Sequence, residues 1–344
     1  MNNRRKVSLI LLTLVLSFSL IFMGCGSTEK VSDNKDLKTV RLNEVVRSIF
    51  YAPQYVAINE GIFADEGIDI KLQTGWGGDK SMTALVSNTA DIGLIGSETS
   101  VYVVKQGSNE KIINFAQLTQ TDGSFLVSRN NIPNFKFSDL KGKEIVGGRR
   151  GGIPQMVMEY TLNKNGITPN KDVDIIQNIA FDATTGAFKG GTGDFIQLFE
   201  PNASKLEKEN NGYVVASFGT EAGKLAYTVF MATESYLKDN PETVQKFTNA
   251  VYKGQIWCAN HTAEEIANSI KSFFPEDDLD IIIKAVNRYK EQESWAPNPL
   301  VQKEAIERLQ DVMIKGGELD TKIPFEQIVN NSFAEKTIKE IPLP

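Results

Sequence analysis

The sequence is most informative between residues 52 and 96, which read APQYVAINEG IFADEGIDIK LQTGWGGDKS MTALVSNTAD IGLIG. Pro53 stands where a helix would begin, because its fixed φ suits the first helical turn and its missing N–H is not needed there. Two short apolar runs, residues 68–73 and 91–96, are typical of buried strands, and a helical pattern at residues 80–88 lies between them. The stretch therefore predicts βαβ units built around parallel strands.

The same alternation continues on both sides of this stretch. A strand pattern at residues 40–46 precedes it, and another at residues 112–119 follows it. A second series of strand and helix patterns runs from about residue 124 to residue 218. Residues 227–232, YTVFMA, then predict the return of the chain to the first sheet.

This order predicts two lobes with two chain crossings between them, near residues 123–129 and 226–233. We expect residues 39–125 and 228–344 to form lobe 1, including the C-terminal helices, and residues 126–227 to form lobe 2. Ligands of open α/β sheets bind beyond the carboxyl ends of the strands, so both lobes would present their loops to one cleft. A pair of crossings would act as the hinge of that cleft.

Composition excludes several functional classes. A chain of 344 residues with 41% hydrophobic and 23% charged residues suits about two globular domains. The net charge of −6 argues against a nucleic-acid binder. The single histidine, His261, argues against histidine metal sites and imidazole catalysis. We therefore expect no metal, no cofactor and no catalytic residue, and a helix-end or surface position for His261.

The N-terminus has the pattern of an export signal. Three basic residues precede an apolar run at residues 7–23, which is shorter than an ordinary transmembrane span and ends just before Gly-Cys25. This ending resembles the lipobox of bacterial lipoproteins. It implies a signal peptide at residues 1–24, acylation of Cys25, a flexible tether at residues 25–38 and an extracytoplasmic body anchored to the cell membrane. The alternative is an uncleaved membrane anchor with an incidental cysteine.

The other cysteine lies in a helical pattern. Val244, Phe247, Val251 and Cys258 recur at steps of three or four residues, which indicates one apolar face of a helix. We therefore expect Cys258 to be part of the core, without redox chemistry.

Four sequence motifs point to a family. They are residues 52–57, 61–70, 84–86 and 90–93, which read APQYVA, GIFADEGIDI, ALV and ADIG. Together they resemble the solute-binding proteins of ABC importers, in the nitrate, sulfonate and taurine (SsuA/NMT1-like) branch related to the pyrimidine-binding proteins of thiamine biosynthesis. The resemblance covers nearly the whole mature chain. It implies an α/β periplasmic-binding-protein fold of type II, with two Rossmann-like lobes joined by two hinge crossings.

The resemblance also implies a function. The chain would capture a small solute outside the cell, as a monomer, and deliver it to an ABC permease with its ATPase, without chemical change. The ligand would be a small oxyanion, such as a sulfonate, taurine or nitrate, or a flat nitrogen heterocycle, such as a thiamine pyrimidine precursor. A sensory or adhesion lipoprotein and a pyrimidine-synthesising enzyme are the alternatives. The enzyme of this fold consumes an active-site histidine, and this sequence places none in a strand-end loop.

Three loops of lobe 1 are predicted to face the ligand. Their aromatic residues would stack on a flat molecule, while neighbouring glycines let backbone N–H groups approach it. Alternatively, the two aromatic residues Phe50 and Trp76 only cover the sheet edge, and Glu98 only caps its helix. The predicted contacts are Ser48, Phe50, Tyr51, Trp76, Gly77, Gly78, Gly96, Ser97 and Glu98.

Lobe 2 offers a glycine-rich loop, residues 147–152, which reads GGRRGG before a helix. Backbone N–H groups at a helix N-terminus attract anions, and Arg149 or Arg150 would add guanidinium donors, so the loop predicts an anion site. The alternative is a solvated turn whose arginines pair with surface acids.

The last predicted contacts lie further along lobe 2. Asp182 and Thr184 belong to a predicted helix cap, and Glu200 ends a predicted strand. Because Pro201 follows it, Glu200 should be extended and could point its carboxylate into the cleft. A buried carboxylate needs a donor, which would be either an amine of the ligand or a nearby arginine.

Overall fold

The computed structural model describes residues 37–342, and the strands in that part of the chain form two sheets. The predicted signal peptide, Cys25 and nearly all of the predicted tether lie outside the described residues. Strands of the first sheet are β1 (Lys38–Glu44), β2 (Ile68–Thr74), β3 (Ile92–Gly96), β4 (Ile112–Gln117) and β10 (Thr228–Thr233). Their spatial order is β2-β1-β3-β10-β4. Strand β1 begins at Lys38, the last residue of the predicted tether.

The second sheet is inserted between β4 and β10. Its strands are β5 (Ser124–Ser128), β6 (Glu144–Val146), β7 (Asp174–Ile176), β8 (Phe195–Phe199) and β9 (Tyr213–Ser217). They follow the order β7-β6-β8-β5-β9. We refer to each sheet, with the helices that connect its strands, as the first and the second lobe.

The two crossing strands run against their neighbours, whereas the sequence patterns suggest parallel strands. In the first sheet, β10 is antiparallel to β3 and β4, and Thr228 pairs with Gly96 at the carboxyl end of β3. In the second sheet, β5 is antiparallel to β8 and β9, and Ser124 pairs with Phe199 at the carboxyl end of β8. Both crossing strands enter their sheet from the lobe junction, where the neighbouring strands end, so they must run in the opposite direction.

Helices follow the strands of both sheets. The first lobe contains α1 (Ala52–Asn59), α2 (Ile62–Asp65), α3 (Gly78–Val86) and α4 (Glu98–Lys105), and the second contains α5 (Ile153–Lys164), α6 (Thr184–Lys189), α7 (Asn202–Lys208) and α8 (Phe218–Ala222). Pro53 lies in the first turn of α1, as predicted. Neither Asp182 nor Thr184 caps α6 with its side chain, because the N-cap is Ala183 and Asp182 lies within a 3₁₀ turn, Phe181–Ala183.

The C-terminal part is helical in its described residues. Its helices are α9 (Glu234–Asp239), α10 (Pro241–Asn260), α11 (Ala263–Ile270), α12 (Leu279–Glu291), α13 (Lys303–Lys315), α14 (Phe325–Ile328) and α15 (Ser332–Glu340), and it contains the 3₁₀ turn Lys271–Phe273. Two further 3₁₀ turns lie earlier in the chain, Ile49–Tyr51 in the first lobe and Phe137–Leu140 in the second. The predicted apolar face of α10 is confirmed, with Val244, Phe247, Val251 and Cys258 all buried. Burial raises the pKa of the Cys258 thiol, which keeps it protonated.

Helix length and hydropathy also bear on membrane insertion. Among residues 37–342, no helix combines the length and the apolar character needed to cross a bilayer.

Candidate functional site

The carboxyl ends of both sheets meet at the lobe junction, where hydrogen bonds join one lobe to the other. The Ser48 hydroxyl donates to the Glu200 carbonyl oxygen at 2.8 Å, and the Tyr102 hydroxyl donates to the Gly151 carbonyl oxygen at 2.9 Å. At the outer edge, the Arg149 guanidinium pairs with Asp79 at 2.9 Å. The lobes are therefore in direct contact, and the side chains between them are candidate ligand contacts.

Glu98 is the first residue of α4 and lies between the lobes, with only 6% of its surface exposed. Its Oε1 accepts a long hydrogen bond, 3.4 Å, from the Ile153 N–H at the start of α5. Its Oε2 is buried and has no hydrogen-bond partner among the described residues. Burial raises the pKa of Glu98 to about 7, against the opposing effect of two backbone N–H groups.

Asp122 is the second buried carboxylate of the junction. It lies in the crossing between β4 and β5 and is fully buried. Its Oδ1 accepts hydrogen bonds from the Ser124 N–H, at 2.6 Å, and from the Ser124 hydroxyl. Its Oδ2 makes no hydrogen bond of ordinary geometry among the described residues, although the Tyr227 hydroxyl lies beside the carboxylate. Burial raises the pKa of Asp122 to about 6, although the Ser124 donors and the nearby Tyr227 hydroxyl oppose the rise.

Two buried tyrosines, Tyr51 and Tyr227, lie near these carboxylates. The charges of Asp122 and Glu98 act on the Tyr227 phenol, and those of Glu44 and Glu98 act on the Tyr51 phenol. Burial and the nearby carboxylates raise the pKa of both phenols well above the usual value, so both stay neutral donors. We call Glu98, Asp122, Tyr51 and Tyr227 the acidic cluster.

An aromatic wall stands beside the acidic cluster. The buried ring of Phe50 lies 5.7 Å from Tyr51, 5.6 Å from Tyr227 and 5.9 Å from Phe199, measured between ring centroids. Phe181, which is partly exposed, lies 6.2 Å from Phe199 and continues the row towards solvent. The rings of Phe50, Tyr51 and Tyr227 are buried next to hydrogen-bonding groups, a combination that small-molecule sites commonly show.

The amides of the glycine-rich loop already have acceptors within the protein. The Gly148 N–H donates to Gln197 Oε1 at 3.2 Å, and the Gly151 N–H donates to Gln155 Oε1 at 2.9 Å. The Gly152 N–H donates to the Arg149 carbonyl oxygen at 3.2 Å. These contacts compete with any anion for the same donors.

Both arginines of that loop are exposed and paired with acids of the first lobe or the C-terminal part. Arg149, with 53% of its side chain exposed, pairs with Asp79, and Arg150, with 81% exposed, lies 3.7 Å from Glu318. Their guanidinium groups thus form the surface pairs that the alternative interpretation of the loop describes. Whether they also hold a ligand stays a prediction.

Glu200 is buried but has a cation beside it. Arg288 of α12 donates to Glu200 Oε1 at 2.6 Å, while the Ser204 N–H and hydroxyl donate to the two carboxylate oxygens, each at 2.9 Å. Arg288 also donates to Glu207 at 2.6 Å. Of the two donors that the sequence allowed for Glu200, the structure therefore contains the arginine.

A short segment after Arg288, residues 289–296, bonds to both lobes, and we call it the C-terminal strap. The Tyr289 hydroxyl donates to the Gly123 carbonyl oxygen at 3.0 Å and accepts from the Glu200 N–H at 3.0 Å. Gln292 Nε2 donates to the Asp122 carbonyl oxygen at 2.6 Å. Trp295 Nε1 donates to the Phe50 carbonyl oxygen at 3.0 Å. The strap thus fixes the backbone on both sides of the acidic cluster.

Two of the remaining predicted contacts, Gly96 and Ser97, lie at the junction, and the others lie in loops or at helix ends. Ser97 is buried at the junction, where its hydroxyl donates to the Ala226 carbonyl oxygen, and Gly96 leaves the space that Glu98 fills. Trp76, with φ +57° and 49% exposure, lies between β2 and α3, and Asp182 is exposed. Thr184 donates to the Phe181 carbonyl oxygen at 2.9 Å. The positive φ angles at Gly77 and Trp76 turn the chain into α3.

Sequence reasoning missed Asp122, Tyr227, Arg288 and the strap. Asp122 directly precedes the crossing predicted near residues 123–129, and this position was an available signal, because a crossing passes between the two lobes at the base of the cleft. Nothing in the local pattern of α12 distinguishes Arg288 from a surface arginine. The residues that the structure describes contain no cluster of three or more His, Cys, Asp or Glu suited to a metal ion.

A separate cavity of about 420 Å³ lies between α5 and α13. Met156, Tyr160, Val312 and Lys315 are among its lining residues. None of the described residues that line it has a buried polar side-chain atom without a partner. Buried polar atoms without a hydrogen-bond partner occur in several parts of the described chain. Glu98 and Asp122 are the carboxylates among them that form no ion pair, and their place at the junction makes it the candidate site.

The paired sheets, the crossing strands and the junction between the lobes define the fold of the periplasmic binding proteins. The alkanesulfonate-binding protein SsuA from Xanthomonas axonopodis pv. citri, solved with bound MOPS, superposes with a TM-score of 0.69 at 14% identity, over 86% of this chain and 98% of that one. The periplasmic nitrate-binding protein NrtA from Synechocystis PCC 6803 gives a TM-score of 0.71 at 16% identity, over 90% of each chain. The predicted fold is confirmed.

Sequence comparison then gives the family. The family model described as "NMT1/THI5 like" matches residues 49–265. A Bacillus subtilis (strain 168) protein named "Putative binding protein YtlA" is 53% identical over 304 residues, which are 88% of this chain and 91% of that protein. This chain belongs to the NMT1/THI5-like family, and the predicted family resemblance is confirmed.

Proposed function

We propose that this chain is the extracytoplasmic solute-binding lipoprotein of an ABC importer, and that its ligand is a small, flat nitrogen heterocycle carrying amino groups. The protein captures this ligand between its lobes and presents it, unchanged, to the permease and its ATPase. It acts as a monomer and is anchored to the membrane through acylated Cys25. Fold and family support the transport class, and the relatives described above include proteins named for binding alkanesulfonate and nitrate.

The acidic cluster is the observation that carries the choice of ligand. Glu98 Oε2 is buried and without a partner among the described residues, and Asp122 Oδ2 has the Tyr227 hydroxyl beside it but no hydrogen bond of ordinary geometry. In that part of the chain, no lysine or arginine forms an ion pair with either carboxylate. Unpaired acceptors in a dry site are costly unless a donor arrives, and amino groups of a ligand would supply it.

An oxyanion would meet the opposite conditions at the same place. Its negative oxygens would face two carboxylates, which repel it when ionised. The arginines of the glycine-rich loop are exposed and paired with Asp79 and Glu318, outside the acidic cluster. The geometry thus favours a heterocycle over the sulfonate or nitrate that the names of the relatives suggest.

The aromatic wall supports a flat ligand. The rings of Tyr51 and Tyr227 each lie within 6 Å of the Phe50 ring, beside the carboxylates. A planar ring lying against them would gain about 0.5–1.5 kcal/mol per aromatic contact beyond the burial of its area. Its amino edge would then point to Glu98 or Asp122.

Calorimetric titration of the full-length protein in detergent tests this proposal. We expect 4-aminopyrimidines to bind, and methanesulfonate and nitrate to give no heat at the same concentrations. The Asp122→Asn variant should bind the aminopyrimidine at least tenfold more weakly, a loss of about 1.4 kcal/mol, because a carboxylate acceptor is lost.

The matched control is Asp79→Asn, which removes an exposed carboxylate of the junction rim and its pairing with Arg149. This variant should keep the affinity of the wild-type protein. Tight binding of methanesulfonate by the wild-type protein, with an affinity that Asp122→Asn leaves unchanged, would contradict the proposed ligand class.

A further inference from the structure

The start of α5 has the features of an anion site. This helix of 12 residues follows the glycine-rich loop and begins at Ile153 with Gly152 as its N-cap, which provides no side-chain hydrogen bond to the first turn. Pro154 has no N–H and the Gly152 N–H donates to the Arg149 carbonyl oxygen, so the Ile153 N–H is the donor of this turn that faces the other lobe. The helix dipole favours a negative charge there. A helix end of this kind is where an external sulfonate or nitrate would be expected to bind.

In this protein, a carboxyl group of the other lobe occupies that position. Glu98, at the start of α4, places Oε1 3.4 Å from the Ile153 nitrogen and accepts its N–H. Its second oxygen, Oε2, is buried and unpartnered among the described residues. The carboxylate therefore bonds to the helix end with one oxygen and presents the other to the junction.

Local structure fixes Glu98 in this position. A side chain at Gly96 would overlap the Glu98 carboxylate, so the glycine provides the space in which the carboxylate lies. Glu98 itself begins α4, where the helix restricts its backbone. The side chain is nearly fully buried and cannot turn to solvent without opening the junction.

We propose that Glu98 determines ligand specificity by occupying the anion-binding end of α5, so that sulfonates and nitrate are excluded and ligands that donate hydrogen bonds are selected. This inference rests on the proposed solute-binding function of the junction and names the residue that sets its ligand class. An incoming oxyanion would have to displace a carboxylate that already bonds to Ile153. A ligand with an amino group needs no displacement, because Glu98 Oε2 is available to accept from it.

Glu98 also connects recognition to the position of the lobes. The side chain belongs to the first lobe and its N–H donor to the second, so the bond exists only when the lobes are together. A ligand that donates to Oε2 would therefore bind the same carboxylate that bridges the closed junction. Its contact energy is available mainly in the closed form, which is the condition for a ligand to shift the equilibrium towards closure.

Removing the carboxylate tests the inference through a gain of binding. In the full-length Glu98→Ala variant, the start of α5 loses its internal anion, and we expect methanesulfonate and nitrate to bind at least tenfold more tightly than they bind the wild-type protein. Isothermal titration calorimetry with each of these anions gives both affinities. Circular dichroism and the thermal midpoint show whether the variant is folded.

Glu318→Ala is the matched control. Glu318 is an acidic side chain near the same glycine-rich loop, 3.7 Å from Arg150, but the Ile153 N–H donates to Glu98 and not to Glu318. Its removal lowers the negative charge around the loop by the same amount and should produce no gain of anion binding. An equal gain in both variants would overturn the proposal, since general electrostatics would then explain the effect.

Glu98→Gln provides a variant that keeps the shape of the side chain. Its amide oxygen can still accept from Ile153, so we expect a smaller gain for anions than in Glu98→Ala and a loss of at least tenfold for the aminopyrimidine. A folded Glu98→Ala protein that binds anions no better than the wild-type protein refutes the role of Glu98. If the wild-type protein instead binds no aminopyrimidine but the gain in Glu98→Ala appears, the proposed ligand fails while the role of Glu98 stands.

Discussion

Two glutamates of the lobe junction, Glu200 and Glu98, are almost equally buried but have different surroundings. Glu200 has Arg288 at 2.6 Å and two donors from Ser204, so each of its oxygens is bonded. Glu98 has one long bond from Ile153, an unpartnered Oε2 and no ion pair within residues 37–342. The protein itself supplies donors for both carboxylate oxygens of Glu200, whereas Glu98 Oε2 needs a further donor. The comparison separates a carboxylate that holds the structure from one that is available to a ligand.

The largest expected effect comes from leaving Glu200 without its cation. Arg288→Ala should lower the free energy of unfolding by about 3–5 kcal/mol, because it leaves a buried carboxylate uncompensated. Urea denaturation at pH 7 measures this change.

The control for this variant is Lys284→Ala, which removes a half-exposed cation that pairs with Glu207 at 2.7 Å. It should cost at most about 1 kcal/mol. Adding Glu200→Gln to Arg288→Ala should recover part of the lost stability. Equal losses for Arg288→Ala and Lys284→Ala would show that Glu200 does not depend on its partner.

A smaller effect concerns the pH dependence of the unpaired carboxylates. Burial raises the pKa of Glu98 from 4.5 to about 7 and that of Asp122 from 3.8 to about 6. At a pH between the unfolded and the folded pKa of each group, the folded protein therefore binds more protons than the unfolded chain. The favourable contribution of these two groups to the free energy of unfolding is fully present below about pH 4 and is lost as the pH rises towards 7. For Glu98 alone, the loss is at most about 3 kcal/mol.

Urea denaturation without ligand, at pH 5 and pH 8, compares the wild-type protein with the Glu98→Gln, Asp122→Asn double variant. The double variant should lose less stability between these two pH values. If both proteins lost the same stability between pH 5 and pH 8, other groups would cause the pH dependence, and the comparison of the two glutamates would have no electrostatic basis.

The smallest expected effect is at the rim of the junction. Arg149 and Asp79 are both more than half exposed, so their coupling energy should be about 0–1 kcal/mol and should decrease with added salt. A double-mutant cycle with Arg149→Ala and Asp79→Ala measures it. A coupling above 2 kcal/mol would show that the rim contributes as much to closure as the buried groups.

The succession of strands along the chain and the return of the chain to the first sheet could be predicted from the sequence, because apolar runs and turn residues are local signals. The glycine-rich loop shows the limit of this method. Its GGRRGG pattern predicts free amides, but Gln155 and Gln197 accept from them, and Gln197 lies 49 residues away from Gly148. Likewise, Arg288 is 88 residues from Glu200. Periodicity indicates which face of a helix is buried, but it does not indicate which distant polar group lies opposite.

The strap gives the protein an intrinsic fluorescent reporter. Trp295 donates its indole N–H to the Phe50 backbone, next to the acidic cluster, whereas Trp257 stacks on His261 at the end of α10. The third tryptophan, Trp76, is half exposed. Because the strap bonds to both lobes, their separation would change the solvation of the Trp295 indole and shift its emission. With phenylalanine at positions 76 and 257, that emission would follow each capture event in real time without an added dye.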